Sequence, residues 1–300
     1  MTWQLTLVGL GLGLVVGLTG VGGGSLMTPI LIIFFNFPAK VAIGTDIFHS
    51  AIFKSFGAVR HRRLGTVHGH LALWLFAGSG PLAVVGVWLS WYLQNELDNA
   101  ESILKVILGI ALILGGTGFL AKSFIKGGVQ TSDGPFILTQ RDKLIAVFTG
   151  AVFGFIVGLT SVGSGTFFGL VMVLVYPLTM SKIVGTDIYH AAALLWVAGI
   201  GHAFIGDIDW HAVLFLTIGS IPGILLSSRW TVSVPQTTIR LGLGGILVIS
   251  GVNLVDVDKS LPSWLFALML GGLTITVAVY TFIAMRSPRT AQAELSETLP

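Results

Sequence analysis

An aspartate followed three positions later by a histidine occurs twice, as Gly44-Thr45-Asp46-Ile47-Phe48-His49 and as Gly185-Thr186-Asp187-Ile188-Tyr189-His190. Residues three apart share a helix face, so each copy turns a carboxylate and an imidazole the same way. Ionisable groups inside a membrane are costly and mark function, often proton carriage. Imidazole titrates near neutral pH and donates to an anion once protonated. Asp46, His49, Asp187 and His190 are therefore the candidate proton-coupling residues. Structural readings compete with this one. Asp46 and Asp187 fall in the first turns of their apolar segments, where an aspartate caps the helix or complements its dipole, and a lone buried histidine often only satisfies a hydrogen bond. Metal binding is weaker, because two ligands per copy leave a coordination set incomplete.

The second duplicated element is rich in glycine. Residues 17–24 read GLTGVGGG and residues 158–165 read GLTSVGSG, at the same offset of 141 positions as the Asp/His motifs. Glycine lets the backbone leave a helix and exposes successive N–H groups, and the next helix begins there with its positive dipole end. That arrangement suits an anion. Gly22, Gly23, Gly24 and Ser25 in the first copy, with Gly163, Ser164, Gly165 and Thr166 in the second, are the candidate substrate-binding residues. The alternative is that these glycines only permit close helix packing. A carboxylate beside an anion site repels the ligand unless protonated, so the two motifs together suggest coupled proton and anion binding.

The surrounding chain must hold these groups in a membrane. Of its 300 residues, 54% are hydrophobic and 10% charged, with a mean hydropathy of +0.91. Soluble domains carry about 25% charged residues. Apolar runs longer than a barrel strand, without strand alternation, imply a polytopic α-helical protein whose backbone is satisfied internally. There is no cysteine, which excludes disulfides and thiol chemistry, and a formal charge of +3 gives no reason to expect nucleic acid. No Walker motif, nucleophile elbow or HExxH occurs, so neither an enzyme nor a cofactor is expected. The first residues resemble a signal peptide superficially, yet they belong to the repeat and stay in the fold.

The repeat aligns without a gap from Gly17–Pro81 to Gly158–Pro222, which predicts a duplication. The expected organisation is a membrane repeat at 1–121, a cytoplasmic linker at 122–141 and a second repeat at 142–254. An extra helix at 255–285 and a disordered tail at 286–300 complete it. Each repeat offers five apolar segments, the first two shorter than the roughly 20 residues that cross a bilayer. The loop at Arg60-His61-Arg62-Arg63 is basic, whereas its counterpart near Asp207 and Asp209 is acidic. Since Lys and Arg favour the cytoplasmic side, equivalent loops are expected on opposite faces. The predicted fold is thus all-α and polytopic, with two inverted repeats. Each has a glycine-broken pair of short helices followed by three transmembrane helices, with one further C-terminal helix. Lys54 is expected to snorkel to the interface, and His61, His70, His202 and His211 to lie at interfacial loop edges.

The pattern GLTGVGGGSLMTPIL, repeated as GLTSVGSGTFFGLVM with GTD after each, resembles the TauE/SafE family of sulfite exporters, also called TSUP or toluene-sulfonate uptake permeases. The likeness spans nearly the whole chain. It implies a secondary transporter for sulfite, an organosulfonate or a related small sulfur anion, in the inner membrane of a prokaryote. Expected partners are a small anionic substrate and the lipid bilayer, with a homodimer as an option for assembly. Two other functions fit the residues: a divalent-cation transporter using the Asp/His pairs, and a non-transporting membrane scaffold.

Overall fold

The computed structural model describes residues 2–19, 24–124, 136–227 and 236–255, and every regular element among them is an α-helix. The first repeat contains α1 (Thr2–Thr19), α2 (Gly24–Phe35), α3 (Ala39–Arg63), α4 (Gly69–Glu96) and α5 (Ala100–Phe124). The second contains α6 (Gln140–Thr160), α7 (Phe167–Val175), α8 (Met180–Ile205), α9 (Trp210–Ser227) and α10 (Gln236–Val255). The extra C-terminal helix and tail expected at 255–285 and 286–300 lie outside the described residues but for Val255, as does most of the linker.

Among the described residues, four helices are long and apolar enough to cross a membrane, within α4, α5, α6 and α8. α3 has 25 residues but carries Lys40, Asp46, Lys54 and a basic last turn. Two short segments were expected in each repeat, and only the second member is short in both. At 1.5 Å per residue, α2 spans about 18 Å and α7 about 14 Å, well below a hydrocarbon core of about 30 Å. α6 is longer than its apolar run because Thr139 and Asp142 form a capping box that starts the helix in polar sequence.

The repeats interlock through glycine. Gly9 and Gly13 of α1 meet Leu216 and Ser220 of α9, and the equivalent Gly150 and Gly154 of α6 meet Leu75 and Ser79 of α4. A methyl group at Gly154 would lie 2.4 Å from the Ser79 Cα, so these helices touch backbone to backbone. Each repeat therefore packs its first helix, in parallel, on the fourth helix of the other.

Equivalent helices pair with each other in the opposite sense. Gly44 near the start of α3 meets Asp207 just past the end of α8, and Gly185 near the start of α8 meets Thr66 just past the end of α3. α5 and α10 are likewise antiparallel, with Gly109 on Gly251 and Gly116 on Gly244. Hydrogen bonds repeat the rule. The Asp209 N–H donates to Thr45 Oγ1 at 2.9 Å and the His68 N–H donates to Thr186 Oγ1 at 2.8 Å. Reciprocal contacts at a constant offset are the signature of an isologous, two-fold arrangement.

A buried polar cluster at the second glycine break

The break between α6 and α7 is built from left-handed backbone. Ser161 ends α6 at φ 67°, and Gly163 and Gly165 both sit at φ 119°. Serine in that region costs of order 1–3 kcal/mol and persists where the surroundings hold it. Here the holding contact is a hydrogen bond, since Ser161 Oγ donates to Asp46 Oδ2 at 2.8 Å. The matching position in the first repeat is Gly20, which with Gly22 and Gly23 lies outside the described residues, while Gly24 is the first residue of α2.

Asp46 is the eighth residue of α3, not a cap, and is fully buried. Thr28 Oγ1 of α2 donates to its Oδ2 at 2.6 Å and Ser50 Oγ donates to its Oδ1 at 3.0 Å. Three hydroxyls from three places in the chain thus converge on one carboxylate. Asp187 is also the eighth residue of its helix and is 2% exposed. The capping reading fails for both, because each helix begins two turns earlier than the aspartate.

Lys54 overturns its expectation. It does not snorkel; it is 1% exposed, and its Nζ donates to the Ser164 carbonyl at 2.7 Å and to Ser164 Oγ at 3.1 Å. It also interacts electrostatically with Asp187, Asp46 and His190. Sequence reasoning passed over it because its partner is 110 positions away and the second repeat has Leu195 in its place. The available signal was periodic: Asp46, Ser50, Lys54 and Gly57 repeat at helical spacing on one face. α3 consequently grips the second break at two levels, through Asp46 on Ser161 and through Lys54 on Ser164.

The two histidines of the motif form a matched pair of ties between the repeats. His49 Nε2 is hydrogen-bonded to Ser220 Oγ at 2.9 Å, and His190 Nε2 to Ser79 Oγ at 2.8 Å. His190 also stands edge-on to Phe168 of α7, with ring centroids 4.4 Å apart. His202 was expected at an interface, yet it is fully buried, donating from Nε2 to the Gly158 carbonyl with Nδ1 3.7 Å from Asp207 Oδ2. Its counterpart His61 instead bonds Thr66 Oγ1 at 2.9 Å in a partly exposed turn.

Ser25 and Thr166 occupy equivalent positions at the starts of α2 and α7, and both are buried. Neither hydroxyl has a hydrogen-bond partner among the described residues, and Thr166 is the N-cap of α7 without making a cap bond. A buried hydroxyl normally finds a partner, so two matched exceptions beside helix N-termini suit a ligand. The structure therefore brings Asp46, Lys54, Ser161 and Ser164 into one network, with Asp187 and His190 joined to it electrostatically. His49 is tied instead to α9.

The family model described as sulfite exporter TauE/SafE matches residues 5–254. The chain belongs to the TauE/SafE family. It is 34% identical to the probable membrane transporter protein YjnA of Bacillus subtilis, over 85% of this chain and all of that protein. It is 24% identical to the probable membrane transporter protein YdhB of the same organism, over 81% of this chain and 96% of that one. A probable membrane transporter protein of Methanocaldococcus jannaschii is 25% identical over 83% of this chain and 93% of its own length. No solved structure matches. With four helices long and apolar enough to cross a bilayer, this TauE/SafE member is an integral membrane transporter.

Proposed function

We propose that the protein is a proton-coupled secondary transporter, working as an exporter, of a small sulfur-containing oxyanion such as sulfite or an organosulfonate, in the inner membrane of a prokaryote. The observation that carries the anion site is the matched pair of buried, unpartnered hydroxyls, Ser25 Oγ and Thr166 Oγ1, at the starts of two half-length helices. The left-handed backbone of the second break, at Gly163 and Gly165, supports the same reading, because such turns leave N–H groups to bind an anion. Asp46, Asp187, His49 and His190 supply the protons: neutralising a carboxylate removes its repulsion of the anion, so the two ligands bind together.

The repeats are inverted across the membrane in this reading. Its support is the antiparallel pairing of α3 with α8 and of α5 with α10. A two-fold axis that reverses equivalent transmembrane helices runs in the membrane plane. The substrate then lies near the midplane between the breaks, and rocking of one repeat against the other exposes it to alternate faces. The basic end of α3, with Arg60, Arg62 and Arg63, faces the cytoplasm.

Purified protein in liposomes tests this directly. Sulfite or sulfonate flux is expected to respond to an imposed pH gradient. The response should vanish in Asp46→Asn or Asp187→Asn, and gradient-driven flux unchanged in both variants would remove the carboxylates from the coupling step. Ser25→Ala with Thr166→Val should weaken anion binding by about tenfold per lost hydrogen bond.

A further inference from the structure

We infer that Lys54 is an anion-binding residue that sets charge specificity, a role that rests on the anion-transport reading above. Among the described residues it is the one buried lysine or arginine. An ammonium has three donors, and Ser164 takes two of them, through its carbonyl and its hydroxyl. The third has no hydrogen-bond partner among the described residues. Ser164 belongs to the same break whose far end, Thr166, carries one of the two unpartnered hydroxyls.

Charge counting makes the role specific. Asp46, Asp187 and Lys54 together leave one net negative charge when all are ionised, and the lysine feels the charge of both carboxylates. Protonating the carboxylates removes their charge and leaves the ammonium as the fixed cation of the site. An anion then meets one uncompensated positive charge in the break that also holds the Thr166 hydroxyl and the start of α7. A neutral solute or a cation gains nothing from it. Ser164 keeps the ammonium placed while no anion is bound, since two of its contacts are to a polar break and not to water.

The same helix, α3, carries further cations at its C-terminal end. An open groove of about 640 Å³ at the basic end of α3 is lined by Phe56, Arg60, Arg63 and Leu225 among others. A narrow cleft shares Phe56, Arg60 and Leu225 with it and reaches Gly57, Ile188 and Ile224. Gly57 is three residues from Lys54 on the same helix face. Lys54 thus lies one turn inward of this basic end, behind Ile188 and Ile224, which pack against Gly57.

The test is binding of sulfite and thiosulfate to the purified full chain by calorimetry, in wild type, Lys54→Gln, Lys54→Leu and Lys54→Arg, with thermal unfolding as the check on folding. Loss of a charge-assisted hydrogen bond predicts about 10- to 100-fold weaker binding in Lys54→Gln and Lys54→Leu. Lys54→Arg, which keeps the charge, should restore most of the affinity. Sulfite affinity within twofold of wild type in a folded Lys54→Gln overturns the inference and leaves the anion-transport reading standing. So does equal loss in the glutamine and arginine variants with matching falls in unfolding temperature, the mark of a structural brace. Wild type that binds neither anion removes the parent reading, and this inference with it.

Discussion

The two Asp/His motifs share sequence and backbone geometry but not surroundings. Asp46 receives hydroxyl hydrogen bonds from Thr28, Ser50 and Ser161. The positions equivalent to those three donors hold Gly169, Ala191 and Gly20. Lys54, which reaches across to the second break, is matched by Leu195. The histidine ties, by contrast, are the same on both sides to within 0.1 Å. Duplication thus preserved the frame that joins the repeats and let the polar contents of the site diverge. A frame shared by both repeats can be kept while one bound substrate needs only one fitted set of polar groups.

The largest expected contrast separates the two aspartates. Asp46→Ala strands three buried donors, and is expected to cost about 3 kcal/mol or more, lowering the unfolding temperature in detergent by roughly 6–12 °C. Asp187→Ala, whose equivalent positions hold Gly169, Ala191 and Gly20 in place of those hydroxyls, strands none of the three and should cost less, while abolishing the response to a pH gradient. Equal unfolding temperatures for the two variants would break the comparison.

One hydroxyl at a time sharpens it. Thr28→Val keeps the shape and removes one donor to the Asp46 carboxylate, for an expected loss of about 1.5–2 kcal/mol, read by denaturant or thermal unfolding. The reverse experiment is Gly169→Ser. A Cβ at Gly169 would lie 3.6 Å from Asp187 Oδ2, an ordinary contact, so the added hydroxyl can reach the carboxylate. A gain of about 1 kcal/mol is expected, with slower flux because Asp187 then carries an added hydroxyl donor. No gain in stability would show that the space beside Asp187 does not accept a donor.

The smallest difference is expected at the ties. Ser79→Ala and Ser220→Ala each remove one histidine partner, and each should cost about 1 kcal/mol, equal to within about 0.5. Unequal losses would mean that the frame, and not only its contents, has become asymmetric.

Much of the frame was legible in the residues. All ten described helices fall on apolar runs, because backbone in hydrocarbon must be satisfied within its own helix. The second glycine break was legible as well, since Gly163 and Gly165 adopt backbone angles that other residues avoid. Three side chains were not. Ser161 stands where the first copy has Gly20, and nothing nearby in the chain points to its hydroxyl as a donor to Asp46. Lys54 and His202 looked interfacial because each lies within a turn or two of a charged loop, yet both are buried on partners more than 40 positions away.

The sequence by itself determined the helices, the duplication and the recurrence of the Asp/His motifs, since periodicity and composition act over a few turns of chain. Only the tertiary structure decided which copy of each motif meets which break. The Asp46 carboxylate is completed by α2 of its own repeat and by a serine 115 positions on, and the Lys54 ammonium by another 110 positions on. Such pairings follow from how closely glycine lets α1 approach α9 and α6 approach α4, a distance that no local pattern of residues encodes.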